Sequence, residues 1–548
     1  MTMPFRFGPR QAIHGPATNS FGTPFCAESD RCWAVTDSTV LWAWHPPTQM
    51  TTPNQAVEAI FVVSEQVRKL EPSNLWNHFA DLNEVPRASK KEERVIAFMK
   101  QFGEKLGFTT VVDEVGNVII RKPATPGMED RMPIVMQSHL DMVHQKNADT
   151  QFDFDSQGIQ MVVEDDWVRA DGTTLGADNG IGVATIMALL ASDDIAHPPL
   201  EALFTIDEET GMTGAIGLQG GLLQGDILLN LDTEEDNELT IGCAGGVDVT
   251  AQRSFVMESA PEGYLGFRIA VRGLKGGHSG VDIHLGRGNA NKIMNRLLWH
   301  ASQNFQARIG EIDGGGLRNA IPRESFAVIS VPAEQNAALA AYMTETVEVI
   351  RAEYQLTDPD TEIVCESVDA PQQVLPMELQ KSLLGVLYAV PNGIYRMSPA
   401  IADLVQTSNN LARVLVKDGA FTLGCLTRSS VNSERDDLAT AIFALFDLLD
   451  AEIEFGGRYP GWKPVPDSTI VKLMSDLYEE MHEESAHVAA CHAGLECGIL
   501  GTNYPDMQMI SFGPNIEGAH SPDERVQISS VQKFWKYLLE TLQRIPTA

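Results

Sequence analysis

The stretch IVMQSHLD (134–141) begins as a compact apolar run and ends in a histidine and an aspartate. Two more apolar runs, LFTI (203–206) and ILLNL (227–231), are each followed by acidic residues. Between the first two runs lies GIGVATIMALLA (180–191), which has the apolar composition and the length of a buried helix. Strands that alternate with helices predict a βαβ sheet that is buried on both faces.

The pattern outside these segments predicts one domain that is interrupted by another. Residues 50–245 and 465–548 share the alternation of strands and helices, whereas residues 246–464 predict an α+β block with long helices and isolated strands. On the first domain we predict helices at 54–70, 75–83, 90–106, 468–483 and 529–544, and strands at 109–113, 118–121 and 507–512. In the block we predict helices at 289–308 and 337–354, strands at 267–271 and 327–331, and a glycine-rich turn at 313–322.

Residues 1–49 differ in composition from the rest of the chain. They hold three of the 8 tryptophans and have balanced charges, whereas the whole chain carries a net charge of -34. They lack the apolar core of a signal peptide and the arginine-rich pattern of a transit peptide. We expect a poorly ordered N-terminal extension, and we favour an over-extended start before Met50 over a targeting peptide.

Composition excludes several classes of function. A net charge of -34 repels phosphate backbones and anionic lipids, so we expect neither nucleic acid nor membrane as a partner. The 7 cysteines are odd in number and scattered, which does not suggest a disulfide framework and favours a reducing cytoplasm. No apolar run reaches the roughly 18 residues that a membrane-spanning helix needs.

Histidine and carboxylate residues cluster in segments that mostly follow the predicted strands. Because positions just beyond the ends of parallel strands meet in one crevice, separate segments can deliver side chains to one place. Each segment alone is a weak signal of a functional site. Five such segments in one chain make a chance arrangement improbable. The segments are SHLD (138–141), GADNG (176–180), DEETG (207–211), NLD (230–232) and GAHSPDE (518–524).

A mixed set of histidine and carboxylate ligands suits zinc or a similar divalent ion. Two neighbouring ions need a ligand that touches both, and Asp178 is the best candidate because glycines flank its turn. Asp141 lies two residues after His139, so on an extended strand end it can orient the imidazole. In the Glu208–Glu209 pair, one carboxylate can bind metal while the other takes a proton from the attacking water.

Seven motifs carry a resemblance to a known family. They are SHLDMV (138–143), LGADNGIG (175–182), DEETGMTGA (207–215), LNLDTEE (229–235), GGHSG (276–280), HAGLECG (492–498) and GAHSPDE (518–524). The chain resembles the co-catalytic zinc aminoacylase/carboxypeptidase family of metallopeptidases from about residue 70 onward, and within it the Xaa-His dipeptidase branch. The resemblance implies a zinc-exopeptidase-like α/β catalytic domain with a mostly parallel sheet (50–245 and 465–548), interrupted by an inserted α+β lid domain (246–464).

The resemblance also implies two metal ions with defined ligands. Asp178 would bridge them, His139 and Asp232 would complete one site, and Glu209 and His520 the other. The Asp178–Asn179 peptide bond would be cis. Zinc is the expected metal, and manganese and cobalt also suit these ligands.

Further roles follow from the same resemblance. Glu208 would be the general base, Asp141 would position the first histidine ligand, and His278 in the lid would stabilise the oxyanion. Four residues are candidates for binding substrate: Arg428 for its carboxylate, and Asn319, His492 and Glu496.

The implied function is hydrolysis of Xaa-His dipeptides, including carnosine-like ones. A broader di/tripeptidase or an N-acyl-amino-acid deacylase on the same scaffold is the alternative within enzymes. A metal-free binding or regulatory protein is the alternative outside them, and the intact ligand set argues against it. The sequence leaves open the side-chain preference and the oligomeric state, a homodimer included.

Overall fold

The computed structural model describes residues 65–548. The predicted N-terminal extension (1–49) and most of the helix predicted at 54–70 lie outside these residues. The helices are Ser73–Asn83, Glu93–Lys105, Ala177–Ala191, Glu208–Gly211, Thr213–Gly217, Ala290–Phe305, Asn336–Tyr354, Met377–Ala389, Asn432–Asp447, Thr469–His482, Glu496–Asn503 and Ile528–Arg544, with 3₁₀ turns at Ile283–Leu285 and Ala333–Gln335. None of these helices combines the length and apolarity that a membrane span needs.

The first sheet has eight strands and carries the predicted βαβ core. Its four central strands run parallel, and the strand next to them on each side is antiparallel to them; the outer two strands pair antiparallel at one edge and parallel at the other. In spatial order the strands are Thr109–Val112, Val118–Lys122, Leu200–Thr205, Ile134–His139, Ile227–Asn230, Gln508–Ser511, Glu238–Cys243 and His487–Cys491. The predicted α/β fold class is confirmed, and the parallel strands bring the ends at His139, Thr205 and Asn230 to one edge.

The helix Ala177–Ala191 is apolar on nearly all sides because it lies between two layers. Val183, Ile186 and Met187 pack into the core that includes the sheet strands. Ile181 and Ala184 belong to a second core with the helix Ser73–Asn83. A helix that is hydrophobic all round is a buried one, so this packing fixes the start of the helix against the strand ends.

A second sheet of nine strands is antiparallel throughout and formed from residues 245–459. Its strands are Glu362–Val368, Tyr264–Arg272, Ser325–Pro332, Arg308–Gly315, Val405–Lys417, Ala420–Ser429, Gly245–Ser254 and Glu452–Tyr459 in spatial order, with Gly393–Met397 paired to Val405–Lys417. It has its own hydrophobic core. The expectation of isolated strands was therefore wrong, and the supposed turn at 313–322 begins inside a strand. The assignment of the two sheets to catalytic and lid domains stays a prediction.

Two small sheets complete the described elements. Glu258–Ser259 pairs with Gln373–Val374. A four-stranded sheet joins Ile516–Glu517, Arg525–Gln527, Trp167–Ala170 and Met161–Glu164. The first two of those four strands form a hairpin whose connection carries His520, so this sheet anchors the loop that approaches the parallel strand ends.

Candidate metal centre

The five candidate metal ligands lie together, although the chain separates them by up to 381 residues (520 − 139). His139 ends a strand, and Asp232 follows another by two residues. Glu209 lies in the short helix Glu208–Gly211, just after the strand Leu200–Thr205. Asp178 lies in the first turn of the helix Ala177–Ala191, and His520 projects from the hairpin loop.

The ligand atoms divide into two sets that share Asp178. One set is His139, Asp178 and Asp232, and the other is Asp178, Glu209 and His520; within each set the ligand atoms lie within 4.8 Å of one another. His139 Nε2 lies 3.1 Å from Asp178 Oδ1, and His520 Nε2 lies 3.2 Å from Asp178 Oδ2. Each carboxylate oxygen of Asp178 therefore faces a different histidine, which is the arrangement that a bridging ligand requires.

The turn at Asp178 depends on two glycines. Gly176 has φ +70°, a left-handed conformation that favours glycine. A Cβ on Gly182 would lie 2.8 Å from the Leu231 carbonyl oxygen, so only glycine lets the helix come this close to the segment that carries Asp232. The Asp178–Asn179 peptide bond is cis, as the resemblance implied. The Asn179 side chain donates hydrogen bonds to the Asp232 carboxylate and, at 2.7 Å, to the Leu231 carbonyl.

The electrostatics of the cluster fit divalent cations. Burial, together with Asp178 and Glu209, raises the pKa of Asp232 to about 7. Burial opposes ionisation of Asp178 as well, but hydrogen bonds from His139 and His520 lower its pKa overall. Glu209 Oε1 is buried and has no hydrogen-bond partner among the described residues. Carboxylates crowded into a buried site are stabilised by a cation, and this donor set of imidazoles and carboxylates suits zinc.

Asp141 contacts the Nδ1 atom of His139, on the side of the imidazole away from Asp178. His139 Nδ1 lies 3.4 Å from the Asp141 carboxylate and 3.2 Å from its backbone carbonyl oxygen. The Asp141 carboxylate also accepts hydrogen bonds from Ser89 Oγ (2.8 Å) and from the backbone N–H groups of Glu208 (3.1 Å) and Glu209 (3.3 Å). This network favours a proton on Nδ1 and leaves Nε2 free to bind metal.

Glu208 lies beside the metal-ligand candidates. Its ligand atom belongs to a third set within 4.8 Å, with His139 and Glu209. Burial raises the pKa of Glu208 well above its ordinary value, and Asp232 adds to this rise. A carboxylate that lies this close to the metal-ligand candidates is in position to accept a proton from a reacting water.

A second polar cluster forms on the antiparallel sheet. Arg428 donates to the hydroxyl of Tyr459 at 2.6 Å, and His278 Nε2 lies 3.4 Å from the Arg428 guanidinium. His492 Nε2 lies 2.8 Å from Ser408 Oγ. Burial, with Arg428 next, lowers the pKa of His278 to about 4 and that of His492 to about 3. Among residues 65–548, no hydrogen bond or ion pair joins this cluster to the metal-ligand candidates.

Asn319 and Glu496, the remaining substrate-binding candidates, lie in contrasting surroundings. Asn319 is exposed, and its backbone carbonyl accepts a hydrogen bond from the Ser279 N–H at 2.7 Å. Glu496 is fully buried and accepts hydrogen bonds of 2.6 Å from Gln137 Nε2 and from Thr205 Oγ1. Burial raises its pKa to about 8. Contact of either residue with substrate stays a prediction.

The sequence profile of peptidase family M20/M25/M40 matches residues 135–544. The chain belongs to this family. It is 42% identical over 481 residues to the cytosol non-specific dipeptidase of Escherichia coli (strain K12), with 88% of this chain and 99% of that protein covered.

Solved structures agree with the family assignment. The crystal structure of aminoacylhistidine dipeptidase from Vibrio alginolyticus matches with a TM-score of 0.84 at 43% identity and covers 88% of this chain and 98% of that one. Aminopeptidase PepT from Bacillus cereus matches with a TM-score of 0.51 at 16% identity, covering 87% and 99%, and shows the fold alone. The resemblance predicted from the motifs is confirmed, and this M20-family chain is a peptide hydrolase.

Two buried charged residues near the M20 metal-ligand candidates have no role in the sequence-based prediction. Arg87 is 1% exposed and donates to the carbonyl oxygens of Leu140 (3.2 Å), Asp141 (3.1 Å) and Gly176 (2.6 Å). Burial lowers its pKa to about 10. Glu524 accepts hydrogen bonds from the turn that carries Asp178. The sequence gives no signal for Arg87, whereas Glu524 stands in the quoted motif GAHSPDE.

Proposed function

We propose that this chain is a dipeptidase that uses two divalent metal ions, zinc by preference, to cleave Xaa-His dipeptides, including carnosine-like ones. The observation that carries the proposal is the pair of ligand sets that share Asp178. His139 and Asp232 complete one set, and Glu209 and His520 complete the other. When bound, divalent ions supply Lewis acidity at the scissile carbonyl and lower the pKa of a water molecule.

The side chains around the metal-ligand candidates supply the proton chemistry. Glu208 takes the proton of the attacking water and passes it to the amine that leaves, which its place beside His139 and Glu209 allows. Asp141 keeps His139 in the tautomer and orientation that metal binding needs. His520, whose side chain is 55% exposed, marks the side from which substrate reaches the centre.

The second polar cluster binds the far end of the substrate in this proposal. The guanidinium of Arg428 pairs with the C-terminal carboxylate, and His278 stabilises the oxyanion that forms at the scissile carbonyl. Asn319 and His492 contribute to the pocket. Residues 246–464 act as a lid domain whose closure brings Arg428 and His278 to the centre formed by 50–245 and 465–548.

The relatives support a dipeptidase over a deacylase. The Escherichia coli protein is named a non-specific dipeptidase and the Vibrio alginolyticus protein an aminoacylhistidine dipeptidase. The two names differ in breadth, so the preference for histidine needs its own test. The word cytosol in the first name, together with the unpaired cysteines among the described residues, supports a cytoplasmic location.

A panel of substrates tests the proposal directly. Xaa-His dipeptides, Xaa-Ala dipeptides, tripeptides and N-acetyl amino acids are offered to the zinc-loaded protein and to the chelated protein. We expect zinc-dependent hydrolysis with the highest kcat/KM for Xaa-His. Equal rates on tripeptides or on N-acetyl amino acids would replace the dipeptidase assignment, and turnover that survives chelation would remove the metal centre from it.

A further inference from the structure

Glu524 makes an unusual set of contacts for a single carboxylate. It is 2% exposed, and its two oxygens accept hydrogen bonds from four consecutive backbone N–H groups. Oε2 accepts from Leu175 (2.7 Å) and Gly176 (2.9 Å), and Oε1 accepts from Ala177 (2.7 Å) and Asp178 (3.2 Å). Hydrogen bonds to an ionised acceptor are about twice as strong as neutral ones.

Two of these contacts, at Ala177 and Asp178, take the place of a local helix cap. The first N–H groups of a helix have no partner inside it, and a side chain at the N-cap normally supplies one. Gly176 is the N-cap of the helix Ala177–Ala191 and has no side chain that could do this. Glu524 therefore holds the turn that carries Asp178, although it lies almost 350 residues further along the chain.

The segment that carries Glu524 also carries His520. Between them the backbone folds into tight turns, with Ser521 N–H to Gly518 O at 3.1 Å and Glu524 N–H to Ser521 O at 3.0 Å. His520 Nε2 lies 3.2 Å from Asp178 Oδ2. The same short segment thus meets the Asp178 turn twice. The carboxylate of Glu524 accepts hydrogen bonds from the backbone of the turn, and the imidazole of His520 faces the Asp178 side chain.

We infer that Glu524 is a positioning residue that fixes His520 against Asp178 and so assembles the ligand set Asp178–Glu209–His520. The inference rests on the metal centre proposed above. Glu524 itself touches neither substrate nor metal in this role, because both of its oxygens are occupied by backbone N–H groups.

The two metal sites depend on Glu524 unequally. His139 ends a central strand, and Asp232 receives a hydrogen bond from Asn179, so the sheet and the helix hold these two ligands without Glu524. Arg87 holds the Gly176 carbonyl at 2.6 Å from the other side of the turn. His520 instead lies on a hairpin loop outside the parallel sheet, and its imidazole contacts only the carboxylates of Asp178 (3.2 Å) and Glu209 (2.9 Å) among the described residues. Loss of Glu524 should therefore weaken the site that contains His520 far more than the other.

The test compares Glu524→Gln with Asp523→Asn, a matched control that makes the same change of charge at the exposed neighbouring side chain. Each full-length protein is loaded with zinc and titrated with a competing chelator while bound zinc is counted. We expect wild type and control to hold two ions, and Glu524→Gln to lose affinity for one ion by about 10- to 100-fold and to keep the other.

A double variant separates positioning from general stability. If Glu524 acts through His520, then His520→Ala/Glu524→Gln should bind zinc no more weakly than His520→Ala alone, because interacting changes are not additive. Additive losses, or equal weakening of both ions in Glu524→Gln, would mean a merely structural role and overturn the inference. Two tight ions in Glu524→Gln would overturn it while leaving the metal centre intact.

Two measurements on wild type complete the test. Fewer than two zinc ions per wild-type chain would overturn the metal centre and the inference with it. Amide hydrogen exchange is measured on the wild-type protein and so does not depend on the folding of a variant. We expect the amides of residues 175–178 to be strongly protected. Rapid exchange there would contradict the contacts on which the inference stands.

Discussion

The two polar clusters of this peptidase have opposite electrostatic character. At the parallel strand ends, buried carboxylates crowd together, and the pKa of Asp232 is raised to about 7. On the antiparallel sheet, Arg428 lies beside two histidines, and burial helps to lower the pKa of His278 to about 4 and that of His492 to about 3. Burial disfavours the charged form in both places. One region is therefore suited to cations and the other to an anion such as a carboxylate.

The largest effect is expected within the carboxylate region. Glu208→Ala removes the proton acceptor and should lower kcat by about 10²–10⁴-fold while bound zinc stays at two ions per chain. Glu209→Ala should lower bound zinc, since it removes a ligand. Activity and zinc content are measured on the same samples. Equal loss of zinc in both variants would show that the roles of the two glutamates are assigned wrongly.

Removal of metal should affect stability through the carboxylate region alone. Zinc at about 100 times its dissociation constant stabilises the folded state by about 2.7 kcal/mol. We expect chelation to lower the Tm of wild type and of Arg428→Ala by the same amount, because Arg428 belongs to the other region. A chelation shift that shrinks in Arg428→Ala would show that the two regions are coupled in the absence of substrate.

Arg428→Ala should change recognition of the substrate carboxylate. A hydrogen bond to a charged group contributes about 1.5–3 kcal/mol, so kcat/KM should fall by about 10- to 100-fold for a dipeptide with a free C-terminus. The C-terminally amidated dipeptide should be a poor substrate for wild type and lose little more in the variant. If the variant cleaves both like wild type, Arg428 is not the carboxylate ligand.

An effect confined to acidic pH concerns the buried imidazole of His492. Its pKa is lowered to about 3, whereas an unperturbed histidine has a pKa of about 6.5. As the pH falls below about 6.5, His492 takes up a proton in the unfolded chain but stays neutral in the folded one. The free energy of unfolding therefore decreases progressively as the pH is lowered toward 3. Urea unfolding at pH 7, 6, 5 and 4 should show wild type losing stability relative to His492→Gln. A constant difference across this range would disprove the assignment.

The carboxylate region could be predicted from the sequence because its geometry follows from the order of elements. His139 and Asp232 come at or just after apolar strands, and Asp178 begins an apolar helix between glycines. Such patterns are visible in a single sequence. Arg87 could not be found this way, because its partners at residues 83, 140, 141 and 176 come together only in the folded chain.

The continuous antiparallel sheet was not predicted from the sequence, because one of its central strands is polar. The strand Val405–Lys417 contains QTSNN (406–410), and all five of these polar residues are buried. Each is satisfied by a side-chain hydrogen bond, such as Thr407 Oγ1 to Glu434 (2.9 Å) and Asn410 Nδ2 to the Ala320 carbonyl (2.8 Å). An apolar run or an alternating pattern identifies most strands, and this strand has neither in that part.

Anomalous diffraction from crystals of the zinc-loaded chain tests the central claim most directly. The account predicts two zinc peaks about 3.5–4 Å apart, both contacting Asp178. His139 and Asp232 should bind one ion, and Glu209 and His520 the other. A single zinc peak, or two peaks of which only one contacts Asp178, would contradict the shared ligand on which the proposed function stands.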